Sequence, residues 1–235
     1  MIAKDQPTIF LSTVLAAVSS ASDGNIKKGM LPPQDMRHVD ENRRTLFSKL
    51  DLSPEQVVLV NLSYQKDDFC VYKEANAEQK GDGIVRPDVV VADALVTREK
   101  GVALFLPIAD CCPVILYDKK QHIVMLSHLG RHNIEQFGGR KSVEYLVKNY
   151  NTVPDDLLVW LGPAAGKATY PLFAFDRRSI HEVILEQLAS VQVDKNNIEV
   201  STVDVAQVED YFSHSEFLKG NRDSDGRFAA IAMLK

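Results

Sequence analysis

The chain has 235 residues, of which 45% are hydrophobic, with 12 glycines and 10 prolines, a composition typical of a globular protein. Its formal net charge of −5 argues against a nucleic-acid-binding protein, since neutralising phosphates needs an excess of lysine and arginine. The three cysteines, two of them adjacent, make a poor disulfide framework and favour a reducing compartment. We therefore expect a cytoplasmic single domain over residues 1–235, flexible at 1–6, with a small-molecule partner and no membrane partner.

The predicted elements alternate between strands and helices. Apolar runs bounded by turn residues predict strands, and apolar positions at helical spacing predict helices. The strands are expected at 9–18, 57–62, 69–73, 89–91, 103–108, 114–117, 123–127, 157–161 and 228–233, and the helices at 36–50, 141–149, 179–190 and 205–219. Because strands arrive both as hairpins and between helices, the pattern favours a mixed α/β sandwich over a purely parallel doubly wound sheet.

One predicted hairpin brings two reactive side chains together. Two apolar runs flank the polar tetrapeptide at 118–121, which has the right length for a tight turn. If residues 118 and 121 flank the turn, Cys111 lies directly opposite His128, with Cβ atoms about 4.5–5.5 Å apart. By alternation, Cys112 points to the other face. A shift of one residue would separate Cys111 from His128.

This pair is compatible with three interpretations. Zinc accepts cysteine sulfur and histidine nitrogen, and a catalytic zinc site uses three protein ligands and an open position. Alternatively, His128 deprotonates Cys111 to form a nucleophile. In the third interpretation, Cys111 is a small buried apolar residue and His128 is a polar residue with satisfied hydrogen bonds. The spacing alone does not decide between them.

Several segments, in order, resemble the laccase-domain family of purine nucleoside phosphorylases (YfiH-like, formerly called multicopper polyphenol oxidases). Any one of these matches is weak, but their common order makes a specific signal. The matching segments are residues 39–43 (family VxxNR), 93–97 (DALVT), 109–116 (ADCxPVLL), 127–130 (the start of AHAGWRG), 162–166 (GPxIG), 211–214 (YFSxR) and 226–228 (GRF).

The resemblance implies a single-domain α/β/β/α sandwich with mixed sheets. It also implies a zinc ion held by Cys111, His128 and one histidine that precedes the DALVT strand. The implied activity is phosphorolysis of adenosine, inosine and methylthioadenosine, with adenosine deaminase activity in addition, so the expected substrates are a purine nucleoside and phosphate. Zinc would act there as a Lewis acid or as a water activator.

The sequence departs from the family at the chemistry. Where the family has its first zinc-binding histidine, this chain has Tyr64 or Gln65, neither of which is a usual zinc ligand at neutral pH. The Trp-Arg-Gly of the family motif is replaced by residues 131–133. His132 would lie on the same face as His128 if the strand continued, and it is therefore another candidate for the third ligand.

The expected substrate-binding residues come from the same motifs. Arg43 is the best candidate for binding phosphate and Arg227 is a weaker one, because guanidinium groups form bidentate hydrogen bonds with phosphate. Asn42 adjoins Arg43 in its motif. Asp110 either orients a ligand as a carboxylate or ends its strand, and His214 is expected to line the pocket.

Three functions remain open at this point. The first is a zinc-assisted purine nucleoside phosphorylase that uses Cys111, His128 and Arg43. The second is a metal-free Cys/His hydrolase on the same scaffold, which also resembles the deamidase domain of cytotoxic necrotizing factor. The third is a non-catalytic relative retained for partner binding. Polyphenol oxidation is not supported, because a multicopper site needs many histidines and the chain has six scattered ones.

Overall fold

The architecture was analysed in a computed structural model, in which residues 1–29 and 36–235 are described. Both α-helices and β-strands occur along these residues. The α-helices are α1 (Met36–Lys49), α2 (Arg131–Glu135), α3 (Gly138–Tyr150), α4 (Ile180–Ser190) and α5 (His214–Leu218), and the strands are β1 (Val14–Val18), β2 (Val57–Asn61), β3 (Tyr72–Glu74), β4 (Val90–Val91), β5 (Ala94–Thr97), β6 (Ala103–Ile108), β7 (Cys112–Asp118), β8 (Ile123–Leu129), β9 (Leu157–Leu161), β10 (Ile198–Val200) and β11 (Phe228–Leu234).

The strands form two mixed sheets. The first has five strands in the order β1-β11-β6-β2-β4, and the second has six in the order β10-β9-β7-β8-β5-β3. Strand β6 pairs antiparallel with β11 and parallel with β2, while β7 pairs antiparallel with both β8 and β9. This arrangement confirms the prediction of a mixed sandwich and excludes a purely parallel sheet.

Three apolar layers hold the sandwich together. Leu104 of β6, Leu126 of β8 and Trp160 of β9 belong to the core between the two sheets. Helices α3 and α4 cover the outer face of the second sheet, where both contribute to a second core. Phe47 of α1 packs edge-on against Phe105 of β6, with ring centroids 5.2 Å apart, on the outer face of the first sheet. The order of layers is therefore α/β/β/α, as expected.

The central hairpin is buried on both faces, which explains its nearly continuous apolar sequence. Every residue of β7 and β8 is buried. Cys112 and Val114 face the helices, whereas Ile115 and Leu126 face the other sheet. None of the helices among the described residues is both long enough and apolar enough to cross a bilayer.

The predicted register of this hairpin was wrong by two residues. His128 pairs with Pro113, not with Cys111, and Asp118 pairs with Ile123. The turn is wider than expected because Asp118 Oδ1 accepts hydrogen bonds from the backbone N–H groups of two turn residues, each at 2.9 Å, and because His122 has a left-handed φ of 51°. Since the shift is two residues, each side chain keeps its predicted face.

The predicted helix at 205–219 was also largely wrong. Only α5 is helical in this region, and the preceding residues form turns. The Asp204 carboxylate accepts from the backbone N–H groups of Gly166 and Ala206, at 2.9 and 3.0 Å, which gives the chain an alternative to helical hydrogen bonds. Ser213 then begins α5 by accepting from the Glu216 N–H at 3.2 Å.

The start of the chain also differs from expectation. The predicted strand at 9–18 is shortened to β1, and Leu11 takes a left-handed φ of 51° in the preceding turn. Residues 1–6 pack beside β1. The amide of Gln6 both donates to the Val18 carbonyl, at 3.0 Å, and accepts from the Val18 N–H, at 2.9 Å. The side chain thus ties this segment to the first sheet.

We expect Asp118→Ala to lower the free energy of unfolding by about 1–2 kcal/mol, because two turn N–H groups lose their acceptor. Asp118→Asn keeps an accepting oxygen and should cost less. Urea unfolding followed by tryptophan fluorescence measures both. Equal losses for the two variants would show that the carboxylate does not hold the turn.

Candidate active site

A cavity of about 610 Å³ opens at one end of the layer between the two sheets. Its lining comes from the link between β6 and β7, the end of β8, the start of α2 and helix α5, and from residues 27, 62, 64, 170 and 227 elsewhere in the chain. Seven of the ten residues singled out in the sequence line this cavity. They are Tyr64, Asp110, Cys111, His128, His132, His214 and Arg227.

Cys111 and His128 meet above Gly130. A Cβ atom at residue 130 would lie 2.6 Å from Cys111 Sγ and 3.4 Å from His128 Nε2. The first distance is a clash, so only glycine at this position lets the two side chains approach the backbone as they do. The pair predicted from the hairpin is therefore brought together, although its members are not opposite one another in the sheet.

Burial keeps both members of this pair neutral. Burial, reinforced by the charges of Lys27 and Lys66, lowers the pKa of His128 to about 3. His128 Nδ1 is buried and has no hydrogen-bond partner among the described residues. Burial, reinforced by the Asp110 carboxylate, raises the pKa of the Cys111 thiol to about 12. At neutral pH the pair is a thiol beside an uncharged imidazole, not a thiolate beside an imidazolium.

Asp110 anchors the far wall of the cavity. Its backbone is left-handed, with a φ of 63°, which aspartate tolerates better than most residues. One carboxylate oxygen accepts from Ser213 Oγ at 2.6 Å, and the other accepts from the N–H and Oγ of Ser215 at 2.7 and 2.8 Å. Both oxygens accept hydrogen bonds, so the carboxylate positions the segment that carries His214.

Asp225, which the sequence analysis missed, joins two of the predicted residues. One carboxylate oxygen accepts from Arg227 Nη1, and the other lies 3.1 Å from His214 Nδ1. The side chains of Arg227 and Asp225 are 11% and 14% exposed, so the pair is only partly screened by solvent. The signal in the sequence that could have identified Asp225 is its position directly before the Gly-Arg-Phe motif.

Lys27 is the second residue that was missed. It lines the cavity, and its ammonium group makes no hydrogen bond or ion pair with any described residue. Burial, together with the charge of Arg227, lowers its pKa. Asn25 Oδ1 accepts from the backbone N–H groups of Lys27 and Arg227, at 3.2 and 2.8 Å, and so holds the two cations at one rim. No local motif marks this lysine.

Asn42 and Arg43 do not line the cavity. Asn42 Nδ2 donates to the Asn25 carbonyl at 2.9 Å, and Arg43 Nε donates to the Ile26 carbonyl at 2.7 Å. These residues of α1 therefore support the loop that carries Lys27. Arg43 also lines a neighbouring cavity.

Three residues are candidates for the third zinc ligand, Tyr64, Gln65 and His132. Gln65 is exposed and does not line the cavity, whereas Tyr64 does. Desolvation in the cleft and the nearby Cys111 raise the pKa of the Tyr64 hydroxyl to about 12, which leaves it protonated at neutral pH. His132 lies on α2, since the strand ends at Leu129, and its ring stacks on Phe69 with centroids 4.6 Å apart.

These donors do not fit a catalytic zinc site. Across residues 1–29 and 36–235 there is no group of three or more histidine, cysteine, aspartate or glutamate side chains that could hold a metal. Cys111 and His128 supply two donors, whereas a catalytic zinc normally takes three from the protein. Zinc binding therefore stays a prediction, and no step of the proposed phosphorolysis depends on it.

We expect Tyr64→His to create the missing donor and to raise the zinc content of the purified protein to about one ion per chain. Gln65→His is the matched control, because residue 65 does not line the cavity, and it should leave the zinc content unchanged. Elemental analysis after zinc loading and gel filtration measures both. Full zinc occupancy in the unsubstituted protein would show that a third donor is already present.

Alkylation of Cys111 tests the neutral pair. In the presence of a chelator at pH 8, iodoacetamide should modify Cys111 at least about tenfold more slowly in the folded protein than in urea, because little thiolate is present. The rate should still be rising with pH between 8 and 10, where the thiol of the unfolded chain levels off. Peptide mass spectrometry separates Cys111 from Cys70 and Cys112. Fast modification that is lost in His128→Ala would contradict this expectation.

Comparison with known proteins identifies the family of this chain. A family model described as multi-copper polyphenol oxidoreductase laccase matches residues 9–174, a range that contains Cys111 and His128. A purine nucleoside phosphorylase of Bacteroides thetaiotaomicron is 24% identical over 226 residues, covering 86% of this chain and 82% of the relative. One from Corynebacterium glutamicum is 28% identical over 159 residues, covering 68% and 61%.

Solved structures show the same fold. YlmD from Geobacillus stearothermophilus superposes with a TM-score of 0.84 at 21% identity, covering 100% of this chain and 98% of that one. The Bacillus licheniformis protein YfiH gives a TM-score of 0.80 at 21% identity, covering 94% and 93%. With the family match extending over more than half of its length, the chain belongs to the multi-copper polyphenol oxidoreductase laccase family.

Proposed function

We propose that this protein is a purine nucleoside phosphorylase. The observation that carries the proposal is a cavity lined by two cations, Lys27 and Arg227, together with Cys111 and His128. Lys27 forms no ion pair with a described residue, whereas Arg227 pairs with Asp225. Relatives that bear the name purine nucleoside phosphorylase, at about one quarter identity, support the same activity. The proposed substrates are adenosine, inosine and methylthioadenosine.

The cavity suits a nucleoside in size and in lining. Its volume of about 610 Å³ lies within the usual range of about 300–1,000 Å³ for small-molecule sites. Tyr64 and Tyr170 both line it, and tyrosine rings can stack on a purine base. Cys111 and His128 also line the cavity, so both are within reach of a bound ligand. In this proposal the pair orients the nucleoside through hydrogen bonds.

The cations are placed to bind phosphate. Phosphorolysis forms a bond between a phosphate oxygen and C1′ of the ribose and breaks the bond from C1′ to the purine nitrogen, which takes up a proton. Lys27 and Arg227 would hold the anionic nucleophile, and Arg131, which also lines the cavity, adds positive charge. Asp225 fixes the Arg227 guanidinium through its ion pair. Positioning of phosphate by these groups is the main contribution assigned to the protein.

Zinc assistance and adenosine deamination are finer parts of the prediction. Deamination needs an activated water, which zinc would supply when bound. The described residues provide two zinc donors, so zinc occupancy can vary between preparations. We expect deamination to depend on that occupancy, whereas phosphorolysis does not. A preparation without zinc is therefore expected to lack deaminase activity.

The neutral pair is unfavourable for a Cys/His hydrolase. Such an enzyme needs a thiolate, or a histidine basic enough to generate one. The pKa of Cys111, about 12, and that of His128, about 3, make this proton transfer unfavourable. The activity assay tests the non-catalytic alternative directly.

The decisive assay is release of hypoxanthine from inosine with and without phosphate. We expect Arg227→Gln to raise KM for phosphate by about tenfold or more, because a hydrogen bond to a charged group is worth about 1.5–3 kcal/mol. Arg44→Gln is the control, since Arg44 is exposed on α1 and lines neither this cavity nor the one beside it. No phosphate-dependent release at high enzyme concentration would overturn the proposal.

A further inference from the structure

A second cavity, of about 320 Å³, adjoins the first one. Lys27, Leu62 and Pro107 line both cavities, so the two share a wall at the rim where Lys27 lies. The rest of the second cavity is formed by the end of β2, by α1 and by the loop before β4. We call it the cationic cavity because basic side chains line it.

The described lining of this cavity contains basic residues and no acidic one. Its basic members are Lys27, Lys28, Arg43 and Arg86. Two of them are paired from outside the lining, Lys28 with Asp40 at 2.6 Å and Arg86 with Asp82 at 2.5 Å. Lys27 and Arg43 form no ion pair with a described residue, so the cavity keeps an excess of positive charge.

Arg43 is the buried part of this charge. The residue is 3% exposed. Its Nε and Nη1 groups donate to the carbonyls of Ile26 and Gly83, at 2.7 and 3.3 Å, while Nη2 donates to no described residue. Backbone carbonyls supply hydrogen bonds but no full negative charge. The Asp40 carboxylate favours the charged form of Arg43 but forms its ion pair with Lys28, and a buried cation without an ion pair of its own is costly. An anion in the cavity would add negative charge and accept from the remaining donors.

We propose that the cationic cavity binds a phosphate group. Guanidinium and ammonium groups together are the usual partners of phosphate in proteins. The site is separate from the Cys111–His128 pair, and the proposal rests on the proposed function only for the source of the phosphate. That source is either inorganic phosphate, held next to the nucleoside, or a phosphate carried by the nucleoside on its 5′ carbon. Lys27 could contact either one, because it lines both cavities.

Calorimetric titration at constant ionic strength tests the proposal with three probes, inorganic phosphate, adenosine and adenosine 5′-monophosphate. The main variants are Arg43→Gln and Lys28→Glu. Lys28 has a side chain 39% exposed, so its substitution is not expected to disturb folding. The matched controls are Arg44→Gln on the same helix and Lys119→Glu on the exposed hairpin turn. Circular dichroism and thermal melting establish that each variant is folded.

If the cavity takes inorganic phosphate, both main variants should weaken phosphate binding by at least about tenfold, with adenosine binding unchanged. If it takes a substrate phosphate, adenosine 5′-monophosphate should bind more tightly than adenosine, and both variants should abolish that difference. The two controls should bind like the unsubstituted protein. Should Arg43→Gln fail to fold, Lys28→Glu still gives the answer.

The proposal is overturned if folded Lys28→Glu and Arg43→Gln bind all three probes as the unsubstituted protein does, or if only Arg227→Gln weakens phosphate binding. The second result would place phosphate in the first cavity alone. Because binding is measured without turnover, a protein that binds phosphate through Arg43 but releases no hypoxanthine would contradict the proposed function and leave this inference standing.

Discussion

The buried carboxylate of Asp110 joins two parts of the chain that lie more than a hundred residues apart. Its hydrogen bonds to Ser213 and Ser215 hold the segment around α5 against the link between β6 and β7. In a buried setting these bonds replace the solvation that the carboxylate loses, so removing the partners would leave a costly charge. This contact holds α5 and the β6–β7 link together where both line the cavity. His214 lines the cavity because Ser213 and Ser215, on either side of it, are fixed by Asp110.

A second contact of the same kind organises the cationic rim. Asn25 receives a hydrogen bond from Asn42 of α1 and in turn accepts from the backbone of Lys27 and Arg227. The segment with Asn42 and Arg43, which resembles a family motif, therefore serves in part to support the loop that carries Lys27. The polar residues of the site act at two levels, since some face the cavity and others hold the loops that place them there.

The sequence predicted those features that depend on local pattern. Strand β6 was predicted with its bounds correct, because its apolar run is uninterrupted, and alternation correctly assigned Cys112 to the face opposite Cys111. The features that failed depend on side chains that bind backbone at a distance. The hairpin register is set by Asp118, and the turns before α5 by Asp204. Lys27 belongs to no sequence motif, and Asp225 is marked only by the Gly-Arg-Phe segment that follows it, so the place of both residues in the site is set by folding.

The alternation of side chains along the central hairpin has a consequence for how such proteins can diverge. Side chains along a strand repeat every second residue. A deletion or insertion of two residues within β7 or β8 would keep Cys111 and His128 on the side of the inter-sheet layer. A change of one residue would turn one of them toward the helices, where Cys112 now packs. Length variation in this hairpin is therefore tolerated in even steps, and relatives that keep the site should differ there by pairs of residues.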